Sequence, residues 1–122
     1  MKKNLKIWGR NFNIPIDFDI YDGENPSGEQ ISRLNRFLSK PEILSDMKKI
    51  SDFCAKDGAS ITNNKVDNIF KYVHPRTLLV SNSSNEKYIA LLCDYKFDEE
   101  HGIAVIFKNN KCVDIVQQDE VL

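Results

Sequence analysis

The carboxy-terminal third of the chain is the part of the sequence that most constrains the fold. It contains two apolar stretches, IAVIFK and KCVDIV, separated by Asn109-Asn110. Asparagine tolerates the positive φ angles of a tight two-residue turn, so this order predicts two antiparallel strands. An acidic segment from Asp94 to Gly102 precedes them and predicts a solvated turn into the first strand. The residue order therefore specifies a β-hairpin at this end of the chain.

The first twenty residues predict a second β-hairpin. Apolar and polar residues alternate strictly from Ile14 to Ile20, the period-two pattern of a strand with one solvated face. Leu5 and Ile7 lie in the expected partner strand, and the turn is expected over Gly9 to Asn13. Pro15 has no amide hydrogen, so its strand either lies at a sheet edge or directs the Pro15 nitrogen outward.

The middle of the chain predicts helices. Ser27 with Gln30 three positions later is a capping-box pattern, so a helix is expected to begin near Gly28. Apolar residues recur at helical spacing over residues 31–38 and 43–54, on either side of Pro41. This predicts two amphipathic helices or one helix kinked at Pro41. A short third helix is expected from Asn63-Asn64 to His74-Pro75, because the residue before proline is pushed out of helical geometry.

Two further segments, TLLVS and KYIALLCDY, predict strands, and the second is apolar on both faces and therefore central. The predicted fold class is α+β, with a mostly antiparallel sheet and two to three helices packed on one face. A chain of 122 residues is long enough for one hydrophobic core, so residues 1–122 are expected to form a single domain.

Charge and composition narrow the functional class. The formal net charge is only -1, which provides no general field for holding nucleic acid by counterion release, so no direct nucleic-acid binding is expected. No apolar run approaches the length of a membrane span or of a signal peptide, and the predicted localisation is cytoplasmic. The three cysteines are widely spaced and include no Cys-x-x-Cys pair, so they are expected to be buried, reduced thiols.

The residues that could support chemistry do not form a recognisable set. The run Asp98-Glu99-Glu100-His101 lacks the spacing of a zinc or calcium site, and adjacent carboxylates point in different directions. His74 and His101 lack a nucleophile in a catalytic context, and the five glycines form no phosphate loop. We therefore expect no catalytic residue, no metal and no cofactor, and predict that the protein is not an enzyme. The His101 ring is expected to donate to a backbone carbonyl beside Gly102.

Exposed acids are the more suggestive feature. Carboxylates facing a basic protein raise the rate of association, while a few aromatic side chains provide affinity. The alternative is that these acids only keep strand edges and turns soluble. The predicted partner-binding residues are Asp17, Asp19, Tyr21, Asp22, Glu24, Tyr95, Asp98, Glu99 and Glu100.

Several segments together resemble a bacterial domain family of unknown function that is linked to polymorphic toxin systems. They include Ile14-Pro15-Ile16-Asp17-Phe18, the Tyr21-Asp22-Gly23-Glu24 segment with its following helix, and the stretch from Cys93 to Tyr95. The most specific part is Asp98-Glu99-Glu100-His101-Gly102 together with the tail Gln118-Asp119-x-x-Leu122. The resemblance covers essentially the whole chain.

This resemblance implies an immunity protein of the contact-dependent growth-inhibition type. Such a protein binds and neutralises one cognate toxin in the cytoplasm, here a nuclease whose basic substrate cleft it would cover. No catalytic residue is carried over from the family. A non-catalytic regulatory or small-ligand-binding cytoplasmic domain is the alternative, and the oligomeric state stays open.

Overall fold

A computed structural model describes residues 1–21, 23–62, 69–82 and 86–121, without the side chains of 58–62. The described chain contains six strands, three α-helices and two 3₁₀ helices. In chain order these are β1 (Lys2–Ile7), β2 (Arg10–Phe18), α1 (Gly28–Leu38), α2 (Glu42–Ser45), α3 (Lys48–Thr62), a 3₁₀ helix (Ile69–Lys71), β3 (Val73–Val80), β4 (Ile89–Tyr95), β5 (Ile103–Lys108), β6 (Lys111–Gln117) and a second 3₁₀ helix (Gln118–Glu120).

All six strands form one sheet in sequence order, from β1 at one edge to β6 at the other. The pairing of β2 with β3 is parallel, and the other four pairings are antiparallel. The parallel pair requires a long crossover, which contains the three helices. The predicted α+β class with a mostly antiparallel sheet is confirmed.

The two faces of the sheet are covered differently. Alternate strand residues such as Leu78, Leu91 and Val105 join Leu34 and Phe37 of α1 in the large core. The other face has a smaller apolar cluster that includes Leu79, Ala90, Leu92, Ala104 and Ile106, and none of its described members belongs to an α-helix. The helices therefore pack on one face, as the sequence predicted.

The β1–β2 turn is shorter than the sequence predicted. Trp8 and Gly9 have φ angles of 50° and 87°, and β2 already begins at Arg10, so the expected turn over Gly9 to Asn13 is wrong. Trp8 is only 4% exposed, and its amide donates to the Leu44 carbonyl at 2.9 Å. Tertiary packing thus holds a bulky residue in a left-handed conformation that local sequence does not favour.

Pro15 lies in an interior strand. The Ile16 amide donates to the Met1 carbonyl at 2.8 Å, and because amides alternate along a strand, the Pro15 nitrogen faces away from β1. On that side the pairing with β3 begins only at Ile16. The second of the two predicted placements for Pro15, with its nitrogen directed outward, is confirmed.

The helical region matches the sequence prediction at its start and departs from it at its end. The capping box at Ser27 is present, and α1 begins at Gly28 as predicted. Asn63-Asn64 lie outside the described residues. A 3₁₀ helix precedes β3, and the predicted helix ending at His74-Pro75 is wrong, because these two residues already belong to the strand. Pro75 favours extended geometry at His74, which a strand satisfies directly.

Candidate functional site

An acidic segment begins in the last two residues of β2 and leads into α1. We use the name acidic loop for the described residues of the segment from Asp17 to Ser27. Asp17 pairs with Leu79 in the sheet, and both Asp17 and Glu24 are exposed. Tyr21 is 71% exposed, the highest value among the large apolar side chains of the described residues. The loop therefore presents an aromatic ring between carboxylates.

The tip of the acidic loop has a defined turn. The Glu24 amide donates to the Tyr21 carbonyl at 3.0 Å, and Gly23 has a φ of 81°. Glycine adopts this left-handed angle without steric cost, so the turn brings Tyr21 and Glu24 close together. Asp22, which was predicted as a contact, lies outside the described residues.

The base of the acidic loop is fixed by Gln30, which is 2% exposed. The Gln30 Nε2 donates to the carbonyls of Asp19 at 3.1 Å and Ser81 at 3.2 Å, while its Oε1 accepts from the Ser27 amide at 3.0 Å. One side chain thus ties both ends of the loop to the end of β3. The sequence indicated the capping role of Gln30 and gave no sign of its bonds to residues distant in the chain.

A second set of acids forms the turn between β4 and β5. Asp98 Oδ1 lies 2.9 Å from His101 Nδ1, and Asp98 Oδ2 accepts from Gln117 Nε2 at 2.8 Å. The hydrogen bond with His101 holds the pKa of Asp98 below its usual range and raises the pKa of His101. Glu99 and Glu100 are exposed. The expectation that the His101 ring bonds a backbone carbonyl is wrong, because the ring bonds a carboxylate instead.

We use the name acidic turn for residues 98–101, between β4 and β5. The acidic loop and the acidic turn lie at opposite ends of the sheet. The Asp19 amide donates to the carbonyl of Val80, the last residue of β3, whereas Val73, the first residue of β3, pairs with Tyr95 beside the acidic turn. The eight residues of β3 span roughly 25 Å at about 3.3 Å each. The predicted contact residues therefore form two separate surfaces.

Tyr95 does not reach the surface. It is 2% exposed, its ring lies 5.6 Å from that of Phe53 and 5.5 Å from that of Phe97, and its hydroxyl donates to Asp57 at 2.6 Å. Burial, followed by the hydrogen bond to Asp57, raises the pKa of Tyr95. The predicted role of Tyr95 as an exposed anchor requires correction, since its strand position directs it into the large core.

Gly102 and Gln118 meet at the point where β5 begins. Gly102 has a φ of 63°, and a Cβ at this position would lie 2.7 Å from the Cys93 carbonyl oxygen and 2.6 Å from Gln118 Nε2. Gln118 Nε2 donates to that same carbonyl at 2.8 Å. The two segments that carry the most specific resemblance are thus in contact. The close approach at Gly102 and the hydrogen bond from Gln118 account for this contact.

The comparisons with known proteins identify a family. A family model described as a domain of unknown function, DUF6985, matches residues 2–122. The chain belongs to the DUF6985 family. No curated protein and no solved structure matches this chain. Within the described part of this DUF6985 domain, no helix is long and apolar enough to cross a membrane.

The thiols of this DUF6985 domain are poor nucleophiles. Cys54 and Cys93 are buried, Cys112 is half-buried, and all three are free. Burial raises the pKa of the Cys54 thiol to about 12 and also raises the pKa values of Cys93 and Cys112. A thiol with a raised pKa stays protonated near neutral pH and reacts slowly. The described residues also contain no group of three or more His, Cys, Asp or Glu side chains suited to a metal.

Proposed function

We propose that this protein is an immunity protein that binds a cognate toxin in the cytoplasm and blocks it, with the acidic loop as the contact surface. The observation that carries the proposal is the 71% exposure of Tyr21 on a loop whose base is fixed by a buried side chain. A large aromatic side chain that is solvated in the free protein gains most when a partner covers it.

The charges of the acidic loop define the kind of partner. Asp17, Asp19 and Glu24 are exposed, so each can meet a Lys or Arg of another protein. Complementary charge raises the association rate and rejects partners of the wrong sign. A nuclease toxin has a basic cleft for its phosphate-bearing substrate, and an acidic loop that covers this cleft would exclude the substrate.

The fixed base of the loop favours a binding role over a purely solubilising one. The Asp19 carbonyl accepts from both Gln30 Nε2 of α1 and Asn82 Nδ2, which lies just after β3, so two side chains distant in sequence hold this one peptide group. A loop that only needs to stay soluble requires no such anchoring. A loop that must present Tyr21 to a partner benefits, because less conformational entropy is lost on binding.

The test is co-expression with the product of the neighbouring open reading frame, followed by purification and a nuclease assay. The proposal predicts a stoichiometric complex in which nuclease activity is abolished. Recovery of the protein alone, or of a metabolic enzyme with unchanged activity, would contradict the immunity role and favour a regulatory domain.

Changing Tyr21 to Ala in the same assay tests the contact surface. The expected loss of affinity is about 10- to 100-fold, the usual effect of removing an interface aromatic. Ile31→Ala is the matched control, since Ile31 is also exposed, at 45%, on the neighbouring helix α1. Equal effects of the two substitutions would argue against the acidic loop as the interface.

A further inference from the structure

A cleft of about 500 Å³ lies between helix α1 and the end of the sheet where β4 begins and β5 ends. Helix α1 contributes Arg33 and Arg36, the segment before β4 contributes Lys87, and the β5–β6 turn contributes Asn109 and Asn110. This volume is typical of sites for small molecules. None of the described lining residues belongs to the acidic loop, so the proposed toxin contact does not account for the cleft.

Arg33 forms a fixed wall of the cleft. Its Nε donates to one Glu29 carboxylate oxygen at 2.9 Å, and its Nη2 forms an ion pair with the other. Its Nη1 donates to the Ser81 hydroxyl at 2.7 Å and to the Tyr88 carbonyl at 3.0 Å. The charge of Arg33 is therefore balanced by Glu29, and the role of Arg33 in the cleft is structural.

The other two cations of the cleft have no such partner. Arg36 and Lys87 are exposed, and neither forms an ion pair with another of the described residues. Glu29, held by Arg33, is the one carboxylate of the described lining. Glu86, the neighbour of Lys87 in the chain, is paired with Lys108. Within the described residues, the cleft thus carries two unneutralised positive charges from separate segments.

The mouth and the floor of the cleft add neutral groups. Asn109 and Asn110 have the φ angles of a tight turn, 51° and 61°, and their side-chain amides offer N–H donors at the mouth. The floor includes Phe37 and Phe107, whose rings are 5.1 Å apart in an edge-to-face arrangement and are both buried. The cleft therefore combines two cations, amide donors and an apolar base.

We propose that this cleft binds a phosphate group. A phosphate monoester carries close to two negative charges near neutral pH and has three strong acceptor oxygens. Arg36 can meet two of these oxygens with its fork of N–H donors, and Lys87 supplies a point charge. A carboxylate would neutralise only one of the two positive charges, and a cation would be repelled by both. The group can be free phosphate or the phosphate of a small organic monoester.

The experiment is an NMR titration of the full chain with phenyl phosphate at constant ionic strength. Benzoate is the matched control probe, because it has the same ring and a single negative charge. The proposal predicts saturable shifts of the Lys87, Ile89 and Asn110 amides with phenyl phosphate, at a millimolar Kd, and about 10-fold weaker binding of benzoate. Equal binding of the two probes, or no saturation with phenyl phosphate, would overturn the proposal.

Variants locate the site. Arg36→Gln and Lys87→Gln each remove one charge and should weaken the binding of phenyl phosphate about 10-fold. Both side chains are exposed, so neither substitution disturbs the core. Lys40→Gln is the control, because it removes an exposed cation just after α1 that does not line the cleft. Unchanged binding in the two cleft variants, or an equal loss in Lys40→Gln, would contradict the proposal.

Inorganic phosphate separates the two sources of the group. Equal binding of inorganic phosphate and phenyl phosphate indicates a site for free phosphate, whereas tighter binding of phenyl phosphate indicates a monoester whose body contacts the apolar floor. The titration needs no toxin, so its outcome is independent of the immunity proposal.

Discussion

Gly102 shows how one residue can determine a local structure. Its positive φ and the carbonyl of Cys93 leave no space for a side chain. Gly102→Ala should therefore lower the free energy of unfolding by about 1–3 kcal/mol in a urea titration. Gly28→Ala is the control, because a Cβ there meets nothing within 4 Å and alanine suits a helix, so stability should hold or rise. Equal losses in both variants would contradict the steric account.

The pairing of Asp98 with His101 gives a pH dependence at the same scale. Because the folded pKa of His101 is above its ordinary value of 6.5, the stabilisation from this pair is complete below pH 6.5 and is lost as pH rises through the folded pKa. Because the folded pKa of Asp98 is below 3.8, the stabilisation is also lost as pH falls through that lower value. Asp98→Asn should return the His101 pKa towards 6.5, as measured by NMR. A His101 pKa that does not move would show that Asp98 is not the cause.

At the scale of elements, Gln30 connects helix α1 to strand β3. Ser27→Ala removes the hydroxyl cap alone and should cost about 1 kcal/mol of unfolding free energy. Gln30→Ala also leaves the carbonyls of Asp19 and of the buried Ser81 without this donor and should cost about 2–3 kcal/mol. Chemical denaturation of the two variants measures the difference. Equal costs would mean that Gln30 acts only as a cap.

The sequence predicted the elements whose signals are local. The Asn109-Asn110 turn has φ angles of 51° and 61°, as a tight hairpin requires, and the capping box places the start of α1. The parallel pairing of β2 with β3 joins residues about sixty positions apart, and no local pattern reports it. The left-handed Trp8 is likewise held by a bond to Leu44. Tertiary contacts determine these two features, so local sequence propensity alone cannot predict them.

At the scale of the whole molecule, the sheet separates residues that the sequence grouped by charge. The prediction joined the acids of two segments into one set of contacts, because composition reports charge and not position. Tyr21 lies in a loop and is exposed, whereas the predicted contact role of Tyr95 is wrong, because its position at the end of β4 directs its ring into the large core. The fold therefore divides the candidate acids between a loop with an exposed ring and the turn between β4 and β5.

The association rate with the proposed cognate toxin, recorded over a range of salt concentrations, distinguishes the acidic loop from the acidic turn as the contact surface. The first variant carries Asp17→Lys, Asp19→Lys and Glu24→Lys in the acidic loop, and the matched variant carries Glu99→Lys and Glu100→Lys in the acidic turn. We expect the loop variant to associate about 10- to 1,000-fold more slowly at low salt and to lose its salt dependence, while the turn variant stays near wild type. Equal slowing by both variants, or slowing by the turn variant alone, would contradict the claim that the acidic loop is the contact surface.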